Sequence, residues 1–259
     1  MHSSLSAEKI SALQTYSRKV EMTVIDSLES TNSYLLTQAN MGMTSDHICV
    51  ADSQTKGRGQ RGNQWRSPPK LNIYCSILWY FNTAETALTG LSLLVGVAVI
   101  KTLQHFNLPS LGLKWPNDVW QANKKIAGIL LEHAKLANSV VIGIGLNVNA
   151  PEHGDSIDSI WTCMQHAASR SFDRNEVAAV LLDNVLMLLT TFSPSRLPAL
   201  LSEWAQWDVL YHKKIDFSLA DRQYRGLASG IDQHGRLIIY IDGKKQFFSS
   251  GNIRSIHTG

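Results

Sequence analysis

A chain of 259 residues with 24 Lys and Arg against 21 Asp and Glu, a formal net charge of +3, can bury a large core in one or two domains. It is too nearly neutral to be a nucleic-acid coat, whose affinity rests on many phosphate contacts. Its three cysteines, Cys49, Cys75 and Cys163, have neither pairing nor metal-ligand spacing and read as small buried side chains of a reducing compartment.

The N-terminus, Met1–Ile10, has no apolar core after Glu8 and Lys9, so it does not read as a secretory signal. Leu5–Arg18 predicts a short helix and Val20–Ser27 a strand through Met22, Val24 and Ile25. Ser30-Thr-Asn-Ser33 stands at the following strand-to-helix boundary, where hydroxyl and amide side chains cap a first turn, and Tyr34–Asn40 continues that helix. Ile48–Ala51 is a short strand that runs into Ser53-Gln-Thr-Lys-Gly-Arg-Gly-Gln-Arg-Gly-Asn-Gln-Trp65. Here Gly57, Gly59 and Gly62 alternate with Lys56, Arg58 and Arg61. Glycine lets backbone N–H groups approach an anion, and a guanidinium clamps phosphate oxygens with two parallel donors. An anion-binding loop, a plain basic surface loop and a nucleic-acid contact all suit this stretch taken alone.

Ser67-Pro-Pro69 is a turn, and Leu71–Tyr80 is a second buried strand, the expected partner of the strand before the loop. Thr83–Phe106 reads as a helix covering one sheet face, with Trp79 in the core. Its apolar run Leu91–Ile100, broken by Ser92 and Gly96, is far short of the roughly 20 residues that span a bilayer. In Leu111–Val119, Pro116 resists regular helix and places Asn117 and Asp118 in a turn. Asp118 suits a local cap equally with the orientation of an amine, a metal ion or a cationic side chain. Lys124 and Lys125 lead an apolar strand ending at Glu132, and a lysine there can stabilise oxygen charge developing at phosphorus. Ser139–Asn149 is another strand; Gly143 and Gly145 permit close packing or close ligand approach, and Asn147 and Asn149 share a face. The third glycine, following helix and distant acid of a dinucleotide fingerprint are missing, which excludes a nicotinamide fold.

Glu152–Gln165 is polar and irregular, and Asp173-Arg-Asn-Glu176 reads as a capping box opening a structural helix to Phe192. Leu197–Trp207 is a further helix before a boundary near residue 209. The period then changes: 214–218, 224–228, 237–241 and 246–249 are short strands, with turns at 231–235 and 242–243, a pattern that suits a small β-barrel.

Four separated segments resemble the biotin protein ligases, or biotin-[acetyl-CoA-carboxylase] ligases. They are Ser30-Thr-Asn32, Lys56–Trp65, Lys114-Trp-Pro-Asn-Asp-Val119 with Lys125-Ile-Ala-Gly-Ile-Leu130, and Gly143-Ile-Gly-Leu-Asn-Val-Asn149. The resemblance extends from about residue 21 to 256. It implies an α+β fold: a mixed β-sheet with flanking helices, like that of class II aminoacyl-tRNA synthetases, over residues 1–209, followed by an SH3-like β-barrel over 210–259. It further implies that biotin and MgATP react to biotinyl-5'-adenylate, from which a lysine of an acceptor takes the biotinyl group. By resemblance Ser30, Thr31, Asn32 and Gln54 form the biotin-head pocket. Arg58 and Lys125 address the carboxylate and α-phosphate, and Gly57, Gly59, Gln60 and Arg61 belong to the phosphate loop. Trp65 covers the adenine or supports the loop, Asp118 positions the acceptor lysine or a cation, and Asn147 serves the nucleotide.

The implied partner is the biotin carboxyl carrier protein of acetyl-CoA carboxylase, in the cytoplasm, with no DNA and no membrane involved and a homodimer compatible with sheet-edge pairing. Ser30 comes too early for the DNA-binding domain of bifunctional relatives, so a monofunctional enzyme is expected. Gln60 stands where the family commonly carries arginine, and Gly251-Asn-Ile-Arg254 matches the family ending weakly. The rival readings are a lipoate-protein ligase using the same adenylate chemistry and a nonenzymatic nucleic-acid-binding protein.

Overall fold

The computed structural model describes residues 3–81, 88–134, 138–150 and 161–257. A seven-stranded sheet holds β1 (Glu21–Leu28), β2 (His47–Gln54), β3 (Ile73–Tyr80), β4 (Leu111–Lys114), β5 (Asp118–Gln121), β6 (Lys124–His133) and β7 (Ser139–Leu146) in the order β1-β2-β3-β7-β6-β5-β4. Only β1 and β2 run parallel; β2 pairs antiparallel with β3 as predicted, and β3 pairs with β7. The central strands are buried on both faces, which is why they read as near-continuous apolar runs rather than alternating ones.

One face is covered by α3 (Leu88–His105), α5 (Arg174–Thr191), α6 (Leu197–Ala205) and α1 (Ala7–Leu13). Leu91, Leu93, Leu94, Val95, Val97 and Val99 of α3 are all buried, because this helix lies between the sheet and two other helices and is apolar all round. On the opposite face α2 (Thr31–Asn40) seats Leu35 and Ala39 against Cys49, Leu78 and Val141. Residues 83–87 of the predicted long helix and 152–160 of the predicted irregular stretch lie outside the described residues. Beyond them Met164–Ala168 forms the short α4, where irregular chain was expected up to Gln165.

The N-terminal helix is shorter than predicted. The N–H and hydroxyl of Thr15 both donate to the Asp183 carboxylate, at 2.6 and 2.7 Å, which draws the chain off the helical path after Gln14. Arg174, 1% exposed at its side chain, pairs with the 4% exposed Asp52 at 2.7 Å and donates to the carbonyls of Ser3 and Asn72. The N-terminus, α5 and the end of β2 are thereby joined behind the basic loop. At the start of α5, Asp173 accepts from Asn175 N–H at 2.8 Å and from the Asn175 side-chain amide at 3.2 Å, while Glu176 of the predicted capping box stays exposed. The three cysteines are buried and free. Burial pushes the Cys49 thiol up to about 12 and raises Cys75 and Cys163 as well, so they behave as apolar side chains. Among the described residues no single helix is long and apolar enough to cross a membrane.

The C-terminal unit has five antiparallel strands, β8 (Lys214–Leu219), β9 (Arg222–Ile231), β10 (Leu237–Ile241), β11 (Lys244–Phe248) and β12 (Asn252–His257). Their order is β11-β10-β9-β8-β12. The sheet coils around Ile215, Phe217, Leu237, Ile239, Phe248 and Ile253, but β11 and β12 do not pair among the described residues, so the barrel is not closed. Three contacts tie it to the larger sheet. Residues 207–209 run beside β4, with Leu113 N–H to Trp207 O at 2.7 Å and Val209 N–H to Leu113 O at 3.0 Å; the buried Trp115 indole donates to Gly235 O at 3.0 Å; and Lys114 donates to Ile253 O at 3.4 Å.

Candidate active site

The cavity arises from what three neighbouring strands omit. On the α2 side of the sheet, Leu78, Val141 and Glu132 stand opposite one another on β3, β7 and β6. Two residues along, the trio is Ser76, Gly143 and Leu130; two further, it is Tyr74, Gly145 and Gly128. Successive same-face positions repeat every two residues, so Gly143 and Gly145 hollow one face only. Side chains from elsewhere fill the two places left. A Cβ on Gly143 would lie 2.1 Å from Asn32 Oδ1, and one on Gly145 would lie 2.4 Å from Cε2 of Trp65. Trp65 also rests over Gly128, with Cζ3 2.9 Å from a Cβ built there. Above this floor is a small cavity.

Its neutral wall is the N-terminus of α2 with the end of β2. Ser30 is the N-cap and accepts from Ser33 N–H at 3.4 Å. Gln54 Oε1 accepts from the N–H of Thr31 at 2.9 Å and its hydroxyl at 3.2 Å, while Gln54 Nε2 donates to Ser67 Oγ at 2.9 Å. The Ser76 hydroxyl lies 2.7 Å from Thr31 Oγ1 and 2.6 Å from Asn32 Oδ1, so the fully buried serine fixes both. These buried hydroxyls and amides are mutually bonded and held in place for recognition.

The basic loop forms an adjoining wall. Arg58 bridges Gln64, the Trp65 N–H donates to Gly57 O at 2.9 Å, and the Gly59 N–H donates to Asn63 O at 2.7 Å, closing a short hairpin. At its tip Gln60–Gly62 makes one 3-10 turn with Arg61 at φ 58° and Gly62 at φ 75°, a left-handed pair that glycine tolerates and arginine enters at a cost. The Trp65 indole N–H is buried without a hydrogen-bond partner. A donor in that condition calls for an acceptor.

Charged side chains line the rest of the cavity. Lys125 Nζ is 2.5 Å from Asp118 Oδ1 and 5.2 Å from the Trp65 ring centroid. Lys114 is directly opposite Asp118 on β4, which places this carboxylate between two lysines. Burial first of all holds the Lys114 ammonium below the usual lysine range; Asp118 pulls it up and Lys125 pushes it down. Arg58 donates to Glu132 Oε2 at 2.6 Å. Beyond Arg58 opens a second, wider space, lined by Arg58, Arg61, Pro116 and Glu132 and by Ser249 and Ser250 after β11.

Ser30, Thr31, Asn32, Gln54, Arg58, Gly59, Gln60, Trp65 and Lys125 all line the first cavity. Gly57 is buried at the base of the loop, Arg61 lines the second space, and Asp118 reaches the first through Lys125. Asn147 lines neither; its buried amide donates to Thr162 O at 3.0 Å, beside Asn149, whose amide donates to Phe172 O at 3.0 Å. The cavity also uses Tyr74, Asn117, Gly128, Gly143 and Gly145, and Ser76 and Glu132 brace it. The signal for Ser76 was a hydroxyl inside an apolar strand. The signal for the floor was the Gly-Ile-Gly spacing of two.

A family model described as the biotin/lipoate A/B protein ligase family matches residues 24–149. The bifunctional ligase/repressor BirA of Escherichia coli (strain K12) is 32% identical over 234 residues, covering 89% of this chain and 72% of that protein. The biotin--[acetyl-CoA-carboxylase] ligase of Mycobacterium tuberculosis is 31% identical over 240 residues, covering 90% of this chain and 88% of that one. Among solved structures, the biotin protein ligase of Aquifex aeolicus in complex with biotin and ATP matches with a TM-score of 0.79 at 26% identity, over 92% of this chain and 99% of that chain. With segments from Ser30 to Gly145 converging on one hollow, and with relatives that share most of its length, the chain belongs to the biotin protein ligases of the biotin/lipoate A/B protein ligase family.

Proposed function

We propose that this enzyme activates biotin with MgATP and transfers the biotinyl group to a lysine of a biotin carboxyl carrier protein, that of acetyl-CoA carboxylase. The observation that carries the reading is the division of the cavity into a neutral hydrogen-bonding wall, Ser30, Thr31, Asn32 and Gln54, and a cationic wall, Arg58 and Lys125. A cyclic urea head needs neutral donors and acceptors, and a carboxylate meeting a phosphate needs cations. A related ligase has been solved with both biotin and ATP bound.

In the first step a biotin carboxylate oxygen attacks the α-phosphorus and pyrophosphate leaves. Arg58 and Lys125 hold two anions in contact that would otherwise repel, and stabilise the charge that builds on the phosphoryl oxygens. Asp118 orients the Lys125 ammonium. In the second step the neutral acceptor amine attacks the acyl carbon, AMP leaves with the electron pair of the acyl–oxygen bond, and the proton shed as the amide forms passes to water; Asp118, with two lysines beside it, is the candidate to orient the incoming amine. The unpartnered indole N–H of Trp65 supplies a donor to the activated intermediate, and Gln60 and Arg61 close the loop over its phosphate. Magnesium arrives with ATP as part of the substrate. Among the described residues no group of three His, Cys, Asp or Glu could hold a metal ion, which suits a cation bound mainly by phosphates and water. We place the boundary between catalytic and SH3-like units near residue 209, the reaction in the cytoplasm, and self-association at the β1 edge, which pairs only with β2 among the described strands.

Pyrophosphate exchange into ATP tests the reading directly. Exchange that depends on biotin supports it, exchange that depends on lipoate transfers the site to the other acid named in the family description, and exchange with neither refutes adenylate chemistry here.

A further inference from the structure

We infer that Glu132 is a positioning residue that competes with the anionic substrate for Arg58; the inference rests on the proposed role of Arg58 at the carboxylate and phosphate. Glu132 stands on β6 opposite Val141, on the same face as Gly128 and Leu130 of the cavity floor. One carboxylate oxygen, Oε2, accepts from two elements: Arg58 Nη2 at 2.6 Å and Asn32 Nδ2 at 2.8 Å. The two partners differ in freedom. Asn32 is 4% exposed, its Oδ1 is 2.6 Å from the Ser76 hydroxyl, and its amide fills the space above Gly143, so it cannot turn away. Arg58 is on the glycine-flanked loop, and its side chain is 41% exposed against 25% for Glu132.

An ion pair this accessible to water is weak. A carboxylate or phosphate held inside the cavity between Arg58 and Lys125 offers stronger, charge-assisted bonds. When Arg58 turns to that anion, Glu132 keeps its bond to Asn32 and its contact with water, so no buried charge is stranded. The exchange is therefore cheap at both ends. It also lets one carboxylate connect the wall built from Asn32 to the loop that carries Arg58, and lets the affinity for the acid be set by the strength of a competing pair.

Such competition reduces apparent affinity by the fraction of molecules in which Arg58 is free. Glu132→Gln leaves an oxygen for Asn32 and removes the charge that holds Arg58. Calorimetric titration with biotin should then show binding tighter by about three- to fivefold, the factor an exposed ion pair supports. The same substitution should speed proteolytic cleavage between residues 56 and 65 in the unliganded enzyme, and Glu132→Asp, too short to reach Arg58, should do the same. Biotin affinity that is unchanged or weakened in the correctly folded glutamine variant overturns the inference and leaves Glu132 a support for Asn32 alone. If neither protein takes up biotin, the proposed function fails and the competition fails with it, an outcome distinct from biotin binding by both proteins with equal affinity.

Discussion

Replacing Gly145 by alanine tests the cavity floor with a single methyl group. That Cβ would lie 2.4, 2.6 and 2.7 Å from Cε2, Nε1 and Cζ2 of Trp65, on a strand position paired on both sides with Tyr74 and Gly128, so the backbone cannot easily retreat. Ordinary carbon contacts begin near 3.5 Å, and the indole must therefore lift by about 1 Å. Its main chain is tethered by the bond to Gly57 O, so the displacement goes into the ring and the loop that carries Arg58 and Gln60. Overpacking of this kind costs about 1–3 kcal/mol. Because it falls on a wall of the cavity rather than on the central core, most of it is expected as lost ligand affinity, roughly 5- to 150-fold, with a much smaller change in global stability. Biotin-dependent pyrophosphate exchange measured against biotin concentration, beside thermal unfolding, separates the two. An alanine variant with exchange kinetics within about twofold of the parent would show that Trp65 does not shape the site and would refute the reasoning.

Lys125→Ala should cut adenylate formation by about a hundredfold or more while moving the unfolding transition little, since the Lys125–Asp118 pair is partly exposed and its ammonium is needed mainly as charge builds at phosphorus; near-normal pyrophosphate release from a folded variant removes Lys125 from that role. Gln60→Arg should make the adenylate about tenfold harder to lose before transfer, equivalent to about 1.4 kcal/mol, because arginine adds a charge-assisted clamp that glutamine lacks; single-turnover measurement of free adenylate and biotinylated carrier tests this, and an unchanged leak assigns Gln60 to neutral variation. Biotin with a nonhydrolysable ATP analogue should protect residues 56–65 from limited proteolysis, and unchanged cleavage at saturation rejects ordering of the loop over ligand. Burial pushes the Asp208 carboxyl up to about 6, against a lowering bond from Leu210 N–H. The folded protein thus holds that proton more tightly than the unfolded chain, so stability present below pH 4 is lost as pH rises through 6, and Asp208→Asn should stabilise by on the order of 2 kcal/mol above pH 7 and by nothing below pH 4. Melting curves of both proteins from pH 4 to 8 check the sign.

Much of this site was legible in the chain because its signals are local. Ser30 caps a helix wherever a strand meets one, the basic loop carries its glycines and arginines within ten positions, and Lys125 opens an apolar run that is a strand in any context. Period and punctuation also marked the change to short strands in the C-terminal segment, whereas the α+β class came from the resemblance of four separated motifs. Register and burial could be decided only by the assembled sheet. Pairing of β7 with both β3 and β6 puts Tyr74, Gly145 and Gly128 side by side, and the fold brings Glu132 to Arg58 across 74 positions of sequence. The same packing turns the Asn147 amide towards Thr162 and leaves β11 and β12 unpaired with each other among the described residues. A polar side chain carries no mark of which partner it will meet, because that depends on how strands far apart in the chain are aligned: shifting one strand by a single residue exchanges its two faces, and with them every group that lines the hollow.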